Sequence, residues 1–340
     1  MAAPTMSSAD AAQPAAVRTV TMAKALNQGL RAAMETDPKV IVMGEDVGKL
    51  GGVFRITDGL QKDFGEQRVL DTPLAESGII GTAVGLAIRG FRPVCEIQFD
   101  GFIFPAFDQI VSQLAKLHYR SQGKLKMPVV VRVPFGGGIG AVEHHSESPE
   151  SYFAHTAGLK VVSCSNPVDA YWMIQQAIAN DDPVLFFEPK GRYYEKGELD
   201  TTIQPEPLFT SKVLRTGSSA TIASYGPSIR TCLAAAAAAE TDGIDLEVID
   251  LRSLSPLDLG PVFDSVRRTG RLVVVSESPS EASISSEVAA RVQQECFYSL
   301  EAPVLRVTGF DTPYPPTKLE DDFLPDLDRV LHAVDRSLAW

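Results

Sequence analysis

Over residues 21–190, short apolar runs of strand length alternate with segments of helical periodicity, and the same alternation restarts after residue 212. A chain so patterned can bury its apolar faces in parallel sheets whose crossover helices cover both sides. Strands are expected at 40–43, 69–70, 94–97, 128–133, 161–164 and 184–187, with helices near 21–36, 74–89, 103–121 and 167–180. A second set has strands near 221–224, 246–249, 272–276 and 304–307, and helices near 227–240, 258–268, 281–296 and 326–338. Between them, GRYYEKGELDTTIQPEPLFTSK loses apolar periodicity and gains proline and charge. It reads as an interdomain linker. At 340 residues the chain exceeds one comfortable core. The expected fold class is therefore α/β with two doubly wound domains: a disordered tail at 1–17, a first domain at 18–190, a linker at 191–212 and a second domain at 213–340.

The formal charge of −12, with no basic stripe to offset it, argues against nucleic acid and anionic membranes as partners. Cys95, Cys164, Cys232 and Cys296 lie in strand-like or helical stretches without metal-ligand spacing. They read as buried thiols in a reducing cytosol. Residues 1–17 lack the basic start and apolar run of a signal, and no stretch approaches a membrane span. A cytoplasmic location is expected.

The run DTPLAESGIIGTAVGLAIRG, residues 71–90, places one carboxylate, Glu76, at the start of an otherwise apolar helix. Thr72 suits the N-cap and Pro73 the first helical position, which puts Glu76 fourth. The stripe Leu74, Ile79, Ala83, Leu86, Ala87 marks the buried face, and Gly78, Gly81 and Gly85 allow close approach of another element. Two readings stand side by side: a helix-dipole partner, or a carboxyl desolvated for a proton-sharing task. Gly136, Gly138 and Ala141 match a dinucleotide fingerprint in letters only, because a polar run follows where a helix should open. A Walker loop is absent. His144 and His145 follow these glycines, and at most one of them can face a shared pocket. Glu45 after a strand, and Gln98 and Phe102 before a helix of mostly core aromatics, complete the candidates.

Taken together, the motifs GEDV with GGVFRIT, DTPLAESGIIGTAVGLA, FRPVCEIQFDGFIFPAFDQI, HHSESPESYFAHTAGLKVV, LEVIDLRSLSPLD and FDTPYPPTKLE closely resemble the beta subunit of thiamine-diphosphate-dependent 2-oxo acid dehydrogenases. The resemblance runs from about Val20 to the C-terminus and is nearest to the branched-chain type, with pyruvate and acetoin dehydrogenases as alternatives. It implies a transketolase-like pyrimidine-binding domain followed by a transketolase C-terminal-like domain. It places Glu76 on the aminopyrimidine ring nitrogen, where a shared proton favours the imino tautomer. Glu45, Leu74, Gln98 and Phe102 would line the pyrimidine pocket. Many branched-chain relatives carry Tyr at the Phe102 position, so a hydroxyl is missing here. His145 would act near acyl transfer to a lipoyl arm, as proton donor or orienting group. A structural monovalent cation, K⁺, is implied near Val129, Val130, Ala177, Asn180 and Asp182. No Gly-Asp-Gly occurs, so the diphosphate and its Mg²⁺ are expected on an alpha subunit, in an α2β2 heterotetramer serving a lipoyl-bearing acyltransferase core. The competing readings are a non-catalytic assembly subunit and a nicotinamide-dependent oxidoreductase.

Overall fold

In the computed structural model of the chain, residues 17–340 are described. The tail expected at 1–17 thus lies outside the described residues except Val17, which opens a strand. The first half runs β1 (Val17–Thr21), α1 (Met22–Thr36), β2 (Val40–Gly44), α2 (Leu60–Phe64), β3 (Val69–Asp71), α3 (Glu76–Ile88), β4 (Arg92–Glu96), α4 (Leu117–Arg120), β5 (Val130–Phe135), α5 (Glu150–Ala154), β6 (Lys160–Ser163), α6 (Pro167–Ala179), β7 (Val184–Pro189) and β8 (Lys196–Asp200). The second half adds β9 (Lys212–Arg215), β10 (Ala220–Ser224), α7 (Ile229–Glu240), β11 (Leu246–Asp250), β12 (Ser253–Ser255), α8 (Gly260–Thr269), β13 (Leu272–Val275), α9 (Ile284–Glu295), β14 (Leu305–Val307), α10 (Glu320–Phe323) and α11 (Leu327–Leu338).

The large sheet has the order β12-β6-β7-β5-β4-β2-β3, the smaller one β14-β13-β10-β11-β9, and β1 pairs with β8 alone. Only β9 on β11 and β12 on β6 break the parallel arrangement of the two larger sheets. Every residue of β2, β5 and β7 is buried, as strands covered on both faces require. Capping places the flanking helices. Thr21 accepts from the Lys24 N–H at 3.2 Å to start α1, and Asn166 accepts from the Asp169 N–H at 2.9 Å to start α6, with Pro167 in its first turn. These two helices pack so closely that a Cβ on Gly29 would come within 2.7 Å of the Tyr171 carbonyl. One apolar core runs through both halves, joining Ile79, Val131 and Phe187 to Tyr225, Ile249 and Leu272.

Three expectations change. Residues 191–212, read as an interdomain linker, hold regular structure: β8 lies within them and closes on β1, and Lys212 already belongs to β9. With only Leu199 buried, β8 has too weak an apolar signal to register as a strand. β12, from the sequence of the second half, extends the sheet of the first. The helix expected over 103–121 is a 3₁₀ segment (Asp100–Ala106), a π segment (Gln109–Leu114) and the short α4. Pro105 lacks the N–H that a continuous α-helix would use there. Among the described residues no helix is long and apolar enough to cross a membrane. All four cysteines are free and buried.

Candidate active site

The carboxyl ends of the large sheet's strands are where open α/β folds gather functional side chains, and the sequence candidates converge there. Glu45 follows β2, Gln98 follows β4, the glycine loop follows β5, and α3 begins after β3. Thr72 does not cap α3. Its N–H donates to the Gly44 carbonyl at 2.9 Å, prolonging the β2–β3 ladder, so no helical turn forms before Ala75. Glu76 is therefore the first helical residue rather than the fourth, and the helix's free N–H groups lie beside it. Its neighbours on the buried face are Ile79, Ile80, Ala83, Val84 and Ala87. Leu74 falls before the helix and is 77% exposed, outside the buried stripe assigned to it. A Cβ on Gly85 would meet nothing, one on Gly78 only the Ala75 Cβ at 3.6 Å, and one on Gly81 only the Gln109 side chain.

Glu45 and Glu76 are 7% and 6% exposed, and neither forms a salt bridge among the described residues. Glu45 Oε1 is buried without a hydrogen-bond partner. Burial, then the neighbouring Glu76 carboxylate, then Asp46, push the Glu45 carboxyl above its usual range. Gln98 Nε2 donates to the Glu45 carbonyl at 3.4 Å, so Gln98 borders the same space. The result is a desolvated pair of acids with an unused acceptor.

Beside this pair stands an aromatic wall. The His145 ring stacks on Phe99 with centroids 3.9 Å apart and planes 8° from parallel, and Phe102 meets His145 edge-on at 5.1 Å. Phe54 extends the wall, 5.4 Å from Phe99. His145 is half-buried whereas His144 is exposed, so one histidine of the two faces the site. Because the His144 carbonyl can only accept, the 2.7 Å contact from His145 Nδ1 places a proton on Nδ1.

Several supporting residues escaped the sequence reading. Asp100 and Lys190 form a fully buried pair at 2.7 Å; burial raises the acid and lowers the amine. Glu277 and Glu320, both from the second half, hold the glycine loop. Glu277 accepts from the Gly137 N–H at 2.9 Å, and Glu320 from the Gly138 and Gly140 N–H groups at 3.0 Å each. The loop opens no helix. Charges set in otherwise apolar runs, Asp100 in QFDGFIF and Lys190 with Glu188 in VLFFEPK, were the available signal.

The residues assigned to a monovalent cation lie away from this site, at the amino ends of β5 and β7. Three of their carbonyls already accept hydrogen bonds. Asn180 O, with Ile178 O, accepts from Arg92 Nη1 at 3.0 Å, Ala177 O accepts from the Asn180 N–H, and Val129 O accepts from the Val184 N–H. The Asn180 side chain accepts from the Asp182 N–H at 2.8 Å. Among the described residues no cluster of His, Cys, Asp and Glu is built to hold a metal.

Comparison with known proteins agrees with this architecture. The family "Transketolase, pyrimidine binding domain" matches residues 18–196, and "Transketolase, C-terminal domain" matches 210–330. The pyruvate dehydrogenase E1 component subunit beta of Leifsonia xyli subsp. xyli is 62% identical over 95% of this chain and 96% of its own length. The 3-methyl-2-oxobutanoate dehydrogenase subunit beta of Mycobacterium tuberculosis is 55% identical over 94% and 92%. A solved split-gene transketolase in an inactive beta4 tetramer superposes with a TM-score of 0.78 over 94% of this chain and 98% of its own, at 23% identity, and so shares the fold. With the strand-end site, the paired domains and these relatives in agreement, the chain belongs to the beta subunits of the E1 component of thiamine-diphosphate-dependent 2-oxo acid dehydrogenases.

Proposed function

We propose that this chain is the catalytic beta subunit of a branched-chain 2-oxo acid dehydrogenase, active with an alpha subunit in an α2β2 assembly and passing its acyl product to a lipoyl arm of an acyltransferase core. The observation that carries the reading is the buried, uncompensated pair Glu45 and Glu76, with its orphaned Oε1. Such a pair fits an aminopyrimidine, a flat ring that both donates and accepts hydrogen bonds. An ordinary helix-end charge in a docking subunit would have no need of a second desolvated acid beside it.

Thiamine diphosphate, when bound, supplies the nucleophilic carbon and the electron sink for decarboxylation. This chain's part is to hold the pyrimidine end and govern its protons. Glu76 shares a proton with the ring nitrogen, and the helix N–H groups around it balance its charged form. Glu45 keeps the pocket acidic and dry, Gln98 orients from one side, and Phe102 covers an apolar face. Leu74 reaches the cofactor from the rim. His145, through Nε2, donates or orients during acyl transfer. Mg²⁺ and the diphosphate belong to the alpha subunit, since no Gly-Asp-Gly is present here. A K⁺ near Asn180 would share its carbonyls with Arg92. We assign residues 18–190 to pyrimidine binding and 213–340 to packing and docking, in a cytoplasmic complex.

For the substrate, the Phe54, Phe99 and Phe102 faces favour a branched aliphatic side chain, as does the Mycobacterium relative. The Leifsonia relative supports pyruvate instead. Co-expression with the cognate alpha subunit tests both points. Glu76→Gln should assemble normally yet lose about a hundredfold or more in decarboxylation. Full activity in that variant would end the catalytic reading. The native complex should prefer 3-methyl-2-oxobutanoate over pyruvate by about tenfold or more in kcat/KM, and the reverse order would overturn the branched-chain assignment alone.

A further inference from the structure

Glu277 and Glu320 hold the glycine limb of the loop that carries His145, and a further carboxylate, that of Asp100, pins it where its two ends meet. Gly136 N–H donates to the Glu147 carbonyl at 2.9 Å, so residues 136 and 147 close the loop on itself. Glu147 N–H in turn donates to Asp100 Oδ2 at 2.8 Å. Asp100 Oδ1 receives Lys190 Nζ at 2.7 Å, and both side chains are completely buried. The fit at this junction is tight. A Cβ on Gly101 would come within 2.5 Å of the His144 carbonyl, so the 3₁₀ segment carrying Phe102 and the loop carrying His145 touch backbone to backbone.

A buried ion pair is a poor source of net stability, because desolvation offsets most of its attraction. It is a good source of fixed geometry. Here each Asp100 oxygen is committed: one to the ammonium from the end of β7, the other to the loop's amide. We infer that Asp100, held by Lys190, is a positioning residue that sets where the His145 ring stands against Phe99 and Phe102. The inference rests on the reading of His145 as the group that serves acyl transfer. Asp100 touches no reacting atom; it acts through Glu147, two residues from His145.

Two charge-balanced double variants in the alpha-containing complex separate positioning from charge burial. Asp100→Ala with Lys190→Met removes the acceptor for the Glu147 N–H, whereas Asp100→Asn with Lys190→Met keeps one. In the Ala variant, amide hydrogen exchange at 143–148 should quicken by about tenfold or more while the β5 and β7 amides keep native protection. The ratio of lipoyl acylation to dye-linked decarboxylation should fall roughly tenfold. The Asn variant should stay within about twofold of native protein in both readouts. Equal behaviour of the two variants, or unchanged exchange in the Ala variant, would overturn the inference, as would failure of both to assemble. His145→Ala is the control: if it leaves lipoyl acylation intact, the role given to His145 falls, and the exchange measurement alone decides whether Asp100 positions the loop.

Discussion

Two pairs of buried carboxylates sit at the same end of the same sheet and meet opposite fates. Glu96 and Glu188, on β4 and β7, flank Arg132 on β5. The guanidinium reaches Glu188 through Nε and Nη2 at 2.7 and 2.8 Å and Glu96 through Nη1 at 2.6 Å, and Tyr193 Oη donates to Glu188 at 2.6 Å. That cluster is closed, with the arginine 1% exposed and burial raising the Glu96 carboxyl. Glu45 and Glu76 have no such cation, and Glu45 keeps a free oxygen. Burial by itself does not mark a site. A pair of neighbouring acids that the fold desolvates without a compensating cation is the feature that fits a ligand.

The comparison can be broken most forcefully at Arg132. Arg132→Met strands two buried carboxylates, and chemical unfolding of the full chain should register a loss of roughly 3–5 kcal/mol. A variant of native stability would mean that the closed cluster is no more structural than the open pair. A smaller effect comes from acids that settle their burial with a proton. Glu150 is fully buried, accepts from Tyr225 Oη at 2.5 Å and is raised from 4.5 to about 7; Asp250 is raised from 3.8 to about 7. Between the ordinary and raised values the folded chain holds protons that the unfolded chain has released. Their contribution to stability is thus full in acid and declines as pH rises toward about 7. Glu150→Gln should flatten that decline, by on the order of 1–3 kcal/mol between about pH 4 and pH 8; an unchanged slope would remove Glu150 from this class. The smallest effect sharpens the open pair itself. Glu45→Gln relieves like-charge repulsion and should raise the thermal midpoint slightly, by about 0.5–1 kcal/mol in stability, while lowering activity of the assembled enzyme. A destabilised variant would show that Glu45 has a partner after all.

Much of this was legible in the chain. Continuous apolar runs such as VIVM and VLFF fit burial on both faces of a covered parallel sheet, and the strands expected from them form. Elements lacking such runs were missed: β8, with one buried residue, and β12, a Ser-Leu-Ser stretch that crosses to the other half's sheet. The start of α3 was misplaced because capping letters are local, whereas the Thr72 N–H was taken by a neighbouring strand.

What the sequence by itself determined is what depends on neighbours in the chain: the alternation of elements, the acid at a helix start, the family motifs and the absence of a diphosphate-anchoring motif. Only the tertiary structure decided which charges are paired. Whether Glu45 meets Glu76, Arg132 meets both Glu96 and Glu188, or Asp100 meets Lys190 depends on strand order and on loops that converge from residues up to 90 positions apart. Desolvation is a property of that assembled environment, so no reading of spacing along the chain can supply it.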